Sequence, residues 1–159
     1  MVAEVRLREV VDDDLPVFFE HWNDPEANRM AAFTAADPSD RTAFEARWAR
    51  LRSDSSVTNR TIEVDAQVAG TISSWDNDGT REITYWLGRE HWGKGAATAA
   101  VARFVELEPV RPLYGVAAKD NAASIRVLQK CGFVPVGESK GYANARGEEI
   151  DEIILALQA

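Results

Sequence analysis

The sequence predicts an α+β domain: one mixed, mostly antiparallel sheet of about six or seven strands, with helices on both faces. Three observations carry that reading. Stretches that alternate at period two gather between positions 60 and 87 and again toward the C-terminus, while stretches with helical period lie before and between them. The stretch Glu82 to Glu106, EITYWLGREHWGKGAATAAVARFVE, reads as a strand, a glycine turn and a helix, with a further strand at Leu113. A strand–helix–strand link is a crossover, which places a parallel pair inside an otherwise antiparallel sheet. Finally, 159 residues of which 45% are hydrophobic suit a single domain, residues 1–159, around one core.

Val5–Val11 alternates weakly and reads as the first strand. Asp12–Asp14 offers capping carboxylates for a helix whose Leu15, Phe18, Phe19 and Trp22 fall on one face. Asn23-Asp24-Pro25 ends that helix, and Glu26–Asp37 reads as an irregular helix or a loop. A second helix is expected from Asp37-Pro38, with Phe44, Trp48 and Leu51 as its apolar stripe. Ser53–Asn59 is a polar loop. Arg60–Asp65 and Val68–Trp75 read as a hairpin joined at Ala66-Gln67, and Asp76–Gly79 turns the chain into the Glu82–Leu87 strand. In the next helix Ala97, Val101 and Val105 share a stripe with Ala100 and Phe104 beside it, and Glu108-Pro109 breaks the pattern. Leu113–Ala118 is a strand and Asp120–Lys130 a helix closed by Gly132. Phe133–Glu138 and Glu149–Leu157 are the last strands, with Gly141–Gly147 a polar loop between them.

Glycines ahead of a helix permit backbone angles closed to other residues and let a ligand touch the main chain. The first helical turn adds unpaired N–H groups and about half a positive charge, so strand, glycine turn and helix can form an anion site. The turn also has a purely structural reading, a tight connection with no ligand. A third reading, the nucleotide P-loop, matches Gly88-Arg89-Glu90-His91-Trp92-Gly93-Lys94. It meets Gly95 where Ser or Thr must hold magnesium, and His91-Trp92 crowds the loop. The segment Glu90-His91-Trp92-Gly93-Lys94-Gly95-Ala96-Ala97-Thr98 resembles the pyrophosphate loop of the GNAT superfamily of N-acetyltransferases. Gln or Arg is usual at its first position, and Glu90 removes one expected donor. WGKGAAT after YWLG looks most like the RimJ/RimL-type branch.

A second motif follows, Asp120-Asn121-Ala122-Ala123-Ser124-Ile125-Arg126-Val127-Leu128-Gln129-Lys130-Cys131-Gly132-Phe133. Structurally, Asn121 caps a helix, Val127, Leu128 and Cys131 point to a core, and Gly132 takes a left-handed cap. The same residues closely resemble the second characteristic block of GNAT enzymes, N-x-x-S-x-x-V-L-x-K-x-G-F. Trp22-Asn23-Asp24-Pro25-Glu26 is similar to the RimJ/RimL-type opening, so the resemblance spans nearly the whole chain.

The resemblance implies acetyl transfer from acetyl-CoA, as cosubstrate and without a metal, to an amine acceptor, either a small molecule or a protein N-terminus. It also leaves room for a homodimer. A splay between the Glu82 and Leu113 strands would admit the pantetheine arm, which would pair with main-chain groups of Tyr85, Trp86 and Leu87. N–H groups across Gly93, Lys94, Gly95, Ala96, Ala97 and Thr98 would hold the pyrophosphate. Asn121 would contact the pantetheine side, and Lys94, Lys119, Arg126 and Lys130 would supply positive charge.

An alkyl amine with a pKa of about 10 must lose a proton to attack. Many GNAT enzymes use a glutamate on the strand before the pyrophosphate loop, which implies Glu82; an exposed strand carboxylate is its structural reading. His21 is a second candidate base, although a lone helix histidine otherwise reads as a surface residue. Many relatives protonate the leaving thiolate with a tyrosine, but Leu128 stands at that position. The RimJ/RimL-type pattern implies the motif serine, Ser124, instead. A non-catalytic acyl-CoA-binding sensor on the same fold is the alternative function.

Composition adds exclusions. A formal net charge of −8 argues against nucleic acid, is compatible with a cationic substrate, and serves solubility equally well. The single Cys131 excludes an internal disulfide and reads as a small buried residue. No apolar run is long enough for a membrane span and the N-terminus has no apolar leader pattern, so a cytoplasmic protein is expected.

Overall fold

A computed structural model describes residues 4–159. The chain runs β1 (Val5–Arg8), α1 (Leu15–Trp22), α2 (Pro25–Ala31), α3 (Arg41–Ser53), β2 (Thr58–Val64), β3 (Gln67–Asn77), β4 (Thr80–Leu87), α4 (Ala96–Leu107), β5 (Leu113–Ala118), α5 (Ala122–Lys130), β6 (Val134–Ala143) and β7 (Glu148–Leu157). The strands form one seven-stranded sheet in the order β1-β2-β3-β4-β5-β7-β6. Every neighbouring pair is antiparallel except β4 and β5, the pair joined by the α4 crossover. The α+β class, the mixed sheet and its parallel pair therefore agree with the sequence reading.

The two faces of the sheet bury different sets of side chains. One packs α4 and α5 onto Ile62, Ile72, Ile83, Leu113 and Leu155, with Val101 and Phe104 fully buried in the middle. The other carries α1 and α3, where Phe18, Phe44 and Trp48 form a compact aromatic cluster with Trp22 and Phe19 at its edge. Strand alternation sorts β4 between them: Ile83 and Leu87 join the α4 side, and Glu82, Thr84 and Trp86 face the α1–α3 side.

Several boundaries differ from the sequence reading. Asp24-Pro25 ends α1 but also starts α2, because the Asp24 carboxylate accepts the Glu26 N–H (3.0 Å) and proline suits a first helical position. The helix expected from Asp37-Pro38 begins at Arg41, where Asp40 caps the Ala43 N–H (3.0 Å); Asp37 closes a local turn onto Ser39. β1 stops at Arg8, since the Val11 N–H turns to the Asp14 carboxylate (3.0 Å) and leaves the ladder. β6 continues to Ala143, through the first three residues of the expected Gly141–Gly147 loop, paired to β7 as far as Ala143↔Glu148.

Two ion pairs on buried carboxylates were invisible in the sequence. Asp14 is 1% exposed and takes Arg8 (2.8 Å) and the Thr61 hydroxyl (2.7 Å). Arg81, at the start of β4, donates to Glu108 at the end of α4 (2.7 Å), and Ser74 donates to the same oxygen (2.6 Å). The other Glu108 oxygen accepts the Val110 N–H (3.1 Å), so the 3% exposed carboxylate is fully partnered. Burial alone would raise the Glu108 pKa, but the Ser74 and Arg81 hydrogen bonds hold it below its ordinary 4.5.

Arg81→Met removes the cation and strands that carboxylate, so a loss of about 3–5 kcal/mol is expected in urea unfolding. Because the folded pKa of Glu108 lies below the unfolded one, its stabilisation is present above pH 4.5 and lost as pH falls through the folded value. Wild-type stability should therefore drop on acidification below that point, and Glu108→Gln should flatten part of the drop. Superimposable acid profiles would show that the pair does not carry it.

Candidate active site

The parallel pair is short. β4 and β5 are in register only at Arg81↔Leu113, Glu82↔Tyr114 and Ile83↔Gly115, and then part. At the fork a Cβ on Gly115 would lie 2.8 Å from Leu128 Cδ1, so glycine there lets Leu128 of α5 fill the crotch. Above it, Thr84–Leu87 has no partner on the β5 side. The Gly88 N–H bonds to Ala69 O (2.8 Å), and the Trp86 carbonyl is directed at Gly70, so the main chain of Trp86 serves β3. By alternation the main chains of Tyr85 and Leu87 face the opening, where the Leu87 carbonyl already accepts from Trp92 Nε1 (2.9 Å).

The glycine turn follows. Gly93 and Gly95 have φ of 75° and 76°, the left-handed region that other residues rarely occupy. The first bond within α4 runs from the Ala99 N–H to Gly95 O (3.1 Å), which leaves the N–H groups of Ala96, Ala97 and Thr98 at the open end of the helix. Lys94 is exposed beside them. Of the other expected cations, Arg126 and Lys130 line the cleft, whereas Lys119 is paired with Glu138 (2.5 Å).

On the α5 side of the opening the Tyr85 hydroxyl lies 2.8 Å from Ser124 Oγ. Burial raises the Tyr85 pKa to about 12, against a smaller opposing effect of the Ser124 hydrogen bond. Tyr85 is thus a neutral phenol that fixes the serine hydroxyl, a contact between residues 39 apart that the sequence reading missed. Asn121 caps α5 through Ser124 N–H (3.2 Å) and ties it to α2 through Met30 O (3.3 Å), so both ends of its amide are engaged within the protein. Cys131 is half-buried, and its thiol faces the Thr98 carbonyl (3.4 Å).

On the opposite face Glu82 lines the cleft, with a carboxylate oxygen held by Asn77 Nδ2. Trp86 lies four residues on, its ring 4.8 Å from that of Trp22 and its Nε1 donating to the His21 carbonyl (3.1 Å). His21 is buried, contrary to the surface reading of a lone helix histidine. Burial lowers its pKa, and its Nε2 lies 3.7 Å from Glu90, which is also 3.7 Å from His91 Nε2. The Nδ1 atoms of both histidines are buried without a partner among the described residues. Glu90, the departure from the loop pattern, therefore sits between two imidazoles. A continuous cleft of about 1520 Å³ joins the glycine turn, the fork and both faces.

A strand pair that opens beside a glycine-headed helix defines a coenzyme-binding acyltransferase architecture, and comparison with known proteins gives the family. The chain belongs to the GNAT acetyltransferases: the family model described as the acetyltransferase (GNAT) domain matches residues 4–134. It is 28% identical over 162 residues to an uncharacterized N-acetyltransferase, p20, of Bacillus licheniformis, covering 95% of this chain and 90% of the relative. Among solved structures, RimJ of Mycobacterium smegmatis in complex with CoA-disulfide superposes with a TM-score of 0.82 at 22% identity, covering 98% of this chain and 82% of that one. Spermidine N-acetyltransferase of Vibrio cholerae in complex with CoA and spermine gives 0.79 at 17%, covering 96% and 95%. At these identities the structural likeness carries the fold. The family makes this chain an acetyl-CoA-dependent acetyltransferase. No helix among the described residues is long and apolar enough to cross a membrane.

The packing at the end of β4 can be probed directly. A Cβ on Gly88 would lie 2.5 Å from His21 Nε2, although φ of −60° at Gly88 suits any residue. Gly88→Ala should therefore lower stability by about 1–3 kcal/mol through overpacking. Gly137→Ala, whose Cβ would meet only Ile154 at 4.0 Å, should stay near wild type. Adding His21→Ala to Gly88→Ala should recover part of the loss; simple additivity of the two would rule out the contact as its cause.

Proposed function

We propose that this chain transfers the acetyl group of acetyl-CoA to a primary amine, on a small molecule or a protein N-terminus, by direct attack in a ternary complex. The observation that carries the reading is the fork itself: three paired positions on β4 and β5, then an open edge leading to the free N–H groups of α4. The main chains of Tyr85 and Leu87 would pair with the pantetheine arm, and N–H groups across Gly93–Thr98 would hold the pyrophosphate, with Lys94 and Lys130 nearby. The RimJ/RimL-type assignment belongs to this proposal and rests on WGKGAAT and on serine in the second motif. RimJ and the spermidine enzyme share the fold, so the fold leaves the acceptor open.

In the proposed reaction the amine nitrogen attacks the thioester carbonyl, the C–N bond forms and the C–S bond breaks. The proton shed by nitrogen goes to Glu82, directly or through water. The sulfur leaves as a thiolate whose thiol has a pKa of about 8.5, and Ser124, itself a weak acid, hydrogen-bonds it. Tyr85 is a positioning residue here: its hydroxyl lies 2.8 Å from Ser124 Oγ, and in the arrangement where the phenol donates, the serine proton is free for sulfur. With a pKa of about 12 it is too weak an acid to protonate a thiolate itself.

The test follows free CoA thiol across an amine panel. Turnover with at least one amine is expected; coenzyme binding without any turnover would favour the acyl-CoA sensor. Ser124→Ala should lower kcat with the KM for acetyl-CoA little changed, and Tyr85→Phe should show a smaller loss of the same kind. Wild-type kcat in both would remove the pair from the reaction. Glu82→Gln should lower kcat/KM by about 10²-fold or more at neutral pH, and the deficit should shrink toward pH 10, where free amine becomes abundant. A deficit independent of pH would assign Glu82 to acceptor binding instead.

A further inference from the structure

The arginines of α3 fall into two groups. Arg41 pairs with Glu45 (3.2 Å) and Arg52 with Asp12 (2.6 Å). Arg47 and Arg50, one turn apart, line the cleft, and among the described residues neither forms an ion pair. On a chain with 26 acidic and 18 basic residues, two cleft arginines without carboxylate partners stand out. The Arg47 guanidinium carbon lies 5.3 Å from the centroid of the Trp22 ring, and Trp22 packs in turn on Trp86. Arg47 keeps surface open to the cleft, yet crowding by protein, and then the like charge of Arg50, lowers its pKa. It stays charged, since a guanidinium does not deprotonate in a protein.

The carboxylates lining the same cleft each have a partner other than these arginines. Asp54 accepts the Ser56 N–H (2.9 Å) and hydroxyl (2.7 Å), Asp76 pairs with Arg81 (3.2 Å), Glu82 is held by Asn77, and Glu152 accepts from Ser139 (2.5 Å). The α1–α3 wall thus presents an aromatic surface and a rigid fork of donors that, among the described residues, no carboxylate pairs with. A planar guanidinium stacked on indole is pre-organised for an oxyanion.

We propose that Arg47, with Arg50 beside it and Trp22 beneath it, binds an oxyanion carried by the acceptor, so that the preferred acceptor is an amine bearing its own carboxylate or phosphate and not a polyamine. This rests on the acetyltransferase reading above and narrows its acceptor. The two ends of such a substrate meet opposite charges on one wall: the ammonium faces Glu82 on β4, and the anion faces α3.

The experiment compares matched acceptors with the intact protein: tyramine with tyrosine, the C-terminal amide of glycyl-glutamine with that of glycyl-glutamate, ethanolamine with phosphoethanolamine, and spermidine as the polycation. In at least one pair the anionic member should exceed its partner in kcat/KM by about tenfold or more. The pair that responds tells carboxylate from phosphate. Arg47→Gln should bring that ratio toward one through the acceptor KM, Arg47→Lys should restore part of it, and Arg41→Gln should leave it alone. A preference for spermidine or for the neutral members throughout would overturn the proposal, as would an Arg47→Gln effect on the acetyl-CoA KM alone. Should no amine turn over, the acetyl-transfer reading falls. Titration of indole fluorescence then decides the subsite: quenching by glycyl-glutamate or phosphoethanolamine that Arg47→Gln abolishes supports it, and none in wild type refutes it.

Discussion

The fork between β4 and β5 is the constraint on which the rest of the molecule depends. Two parallel strands that stayed paired along their length would bury their edges in each other. Here they pair at Arg81, Glu82 and Ile83 and then diverge. Divergence of a sheet interior leaves main-chain N–H and C=O groups unpaired, which is tolerated only where water or a ligand can reach them. The base of the fork must therefore be fixed firmly. Arg81 starts β4, Glu108 ends α4, and their buried pair joins the two ends of the crossover below the opening. Leu128 against Gly115 wedges the point of separation.

The alternation of β4 then gives the opening two distinct walls. Tyr85 turns toward α5 and meets Ser124, while Glu82, Thr84 and Trp86 turn toward α1 and α3. One strand thus divides the cleft into the side where the proposed reaction places the leaving sulfur and the side where it places the incoming amine. The hydroxyls of Ser124 and of the neutral Tyr85 phenol line the first; Glu82, the Trp22 and Trp86 indoles among others, and the Arg47 and Arg50 guanidiniums line the second. Net charge describes neither wall, because an overall −8 coexists with clustered cations at Arg126 and Lys130 and again at Arg47 and Arg50.

What could be read from the sequence was local. The period-two runs, the glycine turn and both motifs announce themselves within a few residues, and they locate the strands, α4, α5 and the loop between β4 and α4. What could not be read depends on partners far along the chain. Asp24-Pro25 is the exception, both a stop and a start, since the cap and the proline that begin α2 are local. β6 is almost wholly exposed and carries little hydrophobic pattern, so its last residues are ordered by pairing with β7. The Arg81–Glu108 and Tyr85–Ser124 contacts span 27 and 39 residues, and no spacing rule in a single sequence connects them.

Glu90 shows how a departure from a motif is resolved in three dimensions. In the sequence it reads as a lost donor in the anion loop. In the fold its carboxylate lies 3.7 Å from His21 and equally far from His91, both buried. Burial disfavours the charged form of His21, and the neighbouring carboxylate works against that, while Glu90 is held below its ordinary pKa first by its own backbone N–H and then, against burial, by the two histidines. A Gln or Arg at this position would offer a donor but no negative charge to two histidines. Gly88, pressed against His21, and the Trp86 indole, bonded to the His21 carbonyl, complete the contact between α1 and the end of β4. Glu90 thus belongs to the joint between the aromatic wall and the glycine turn, which aligns the proposed acceptor side of the cleft with its coenzyme side.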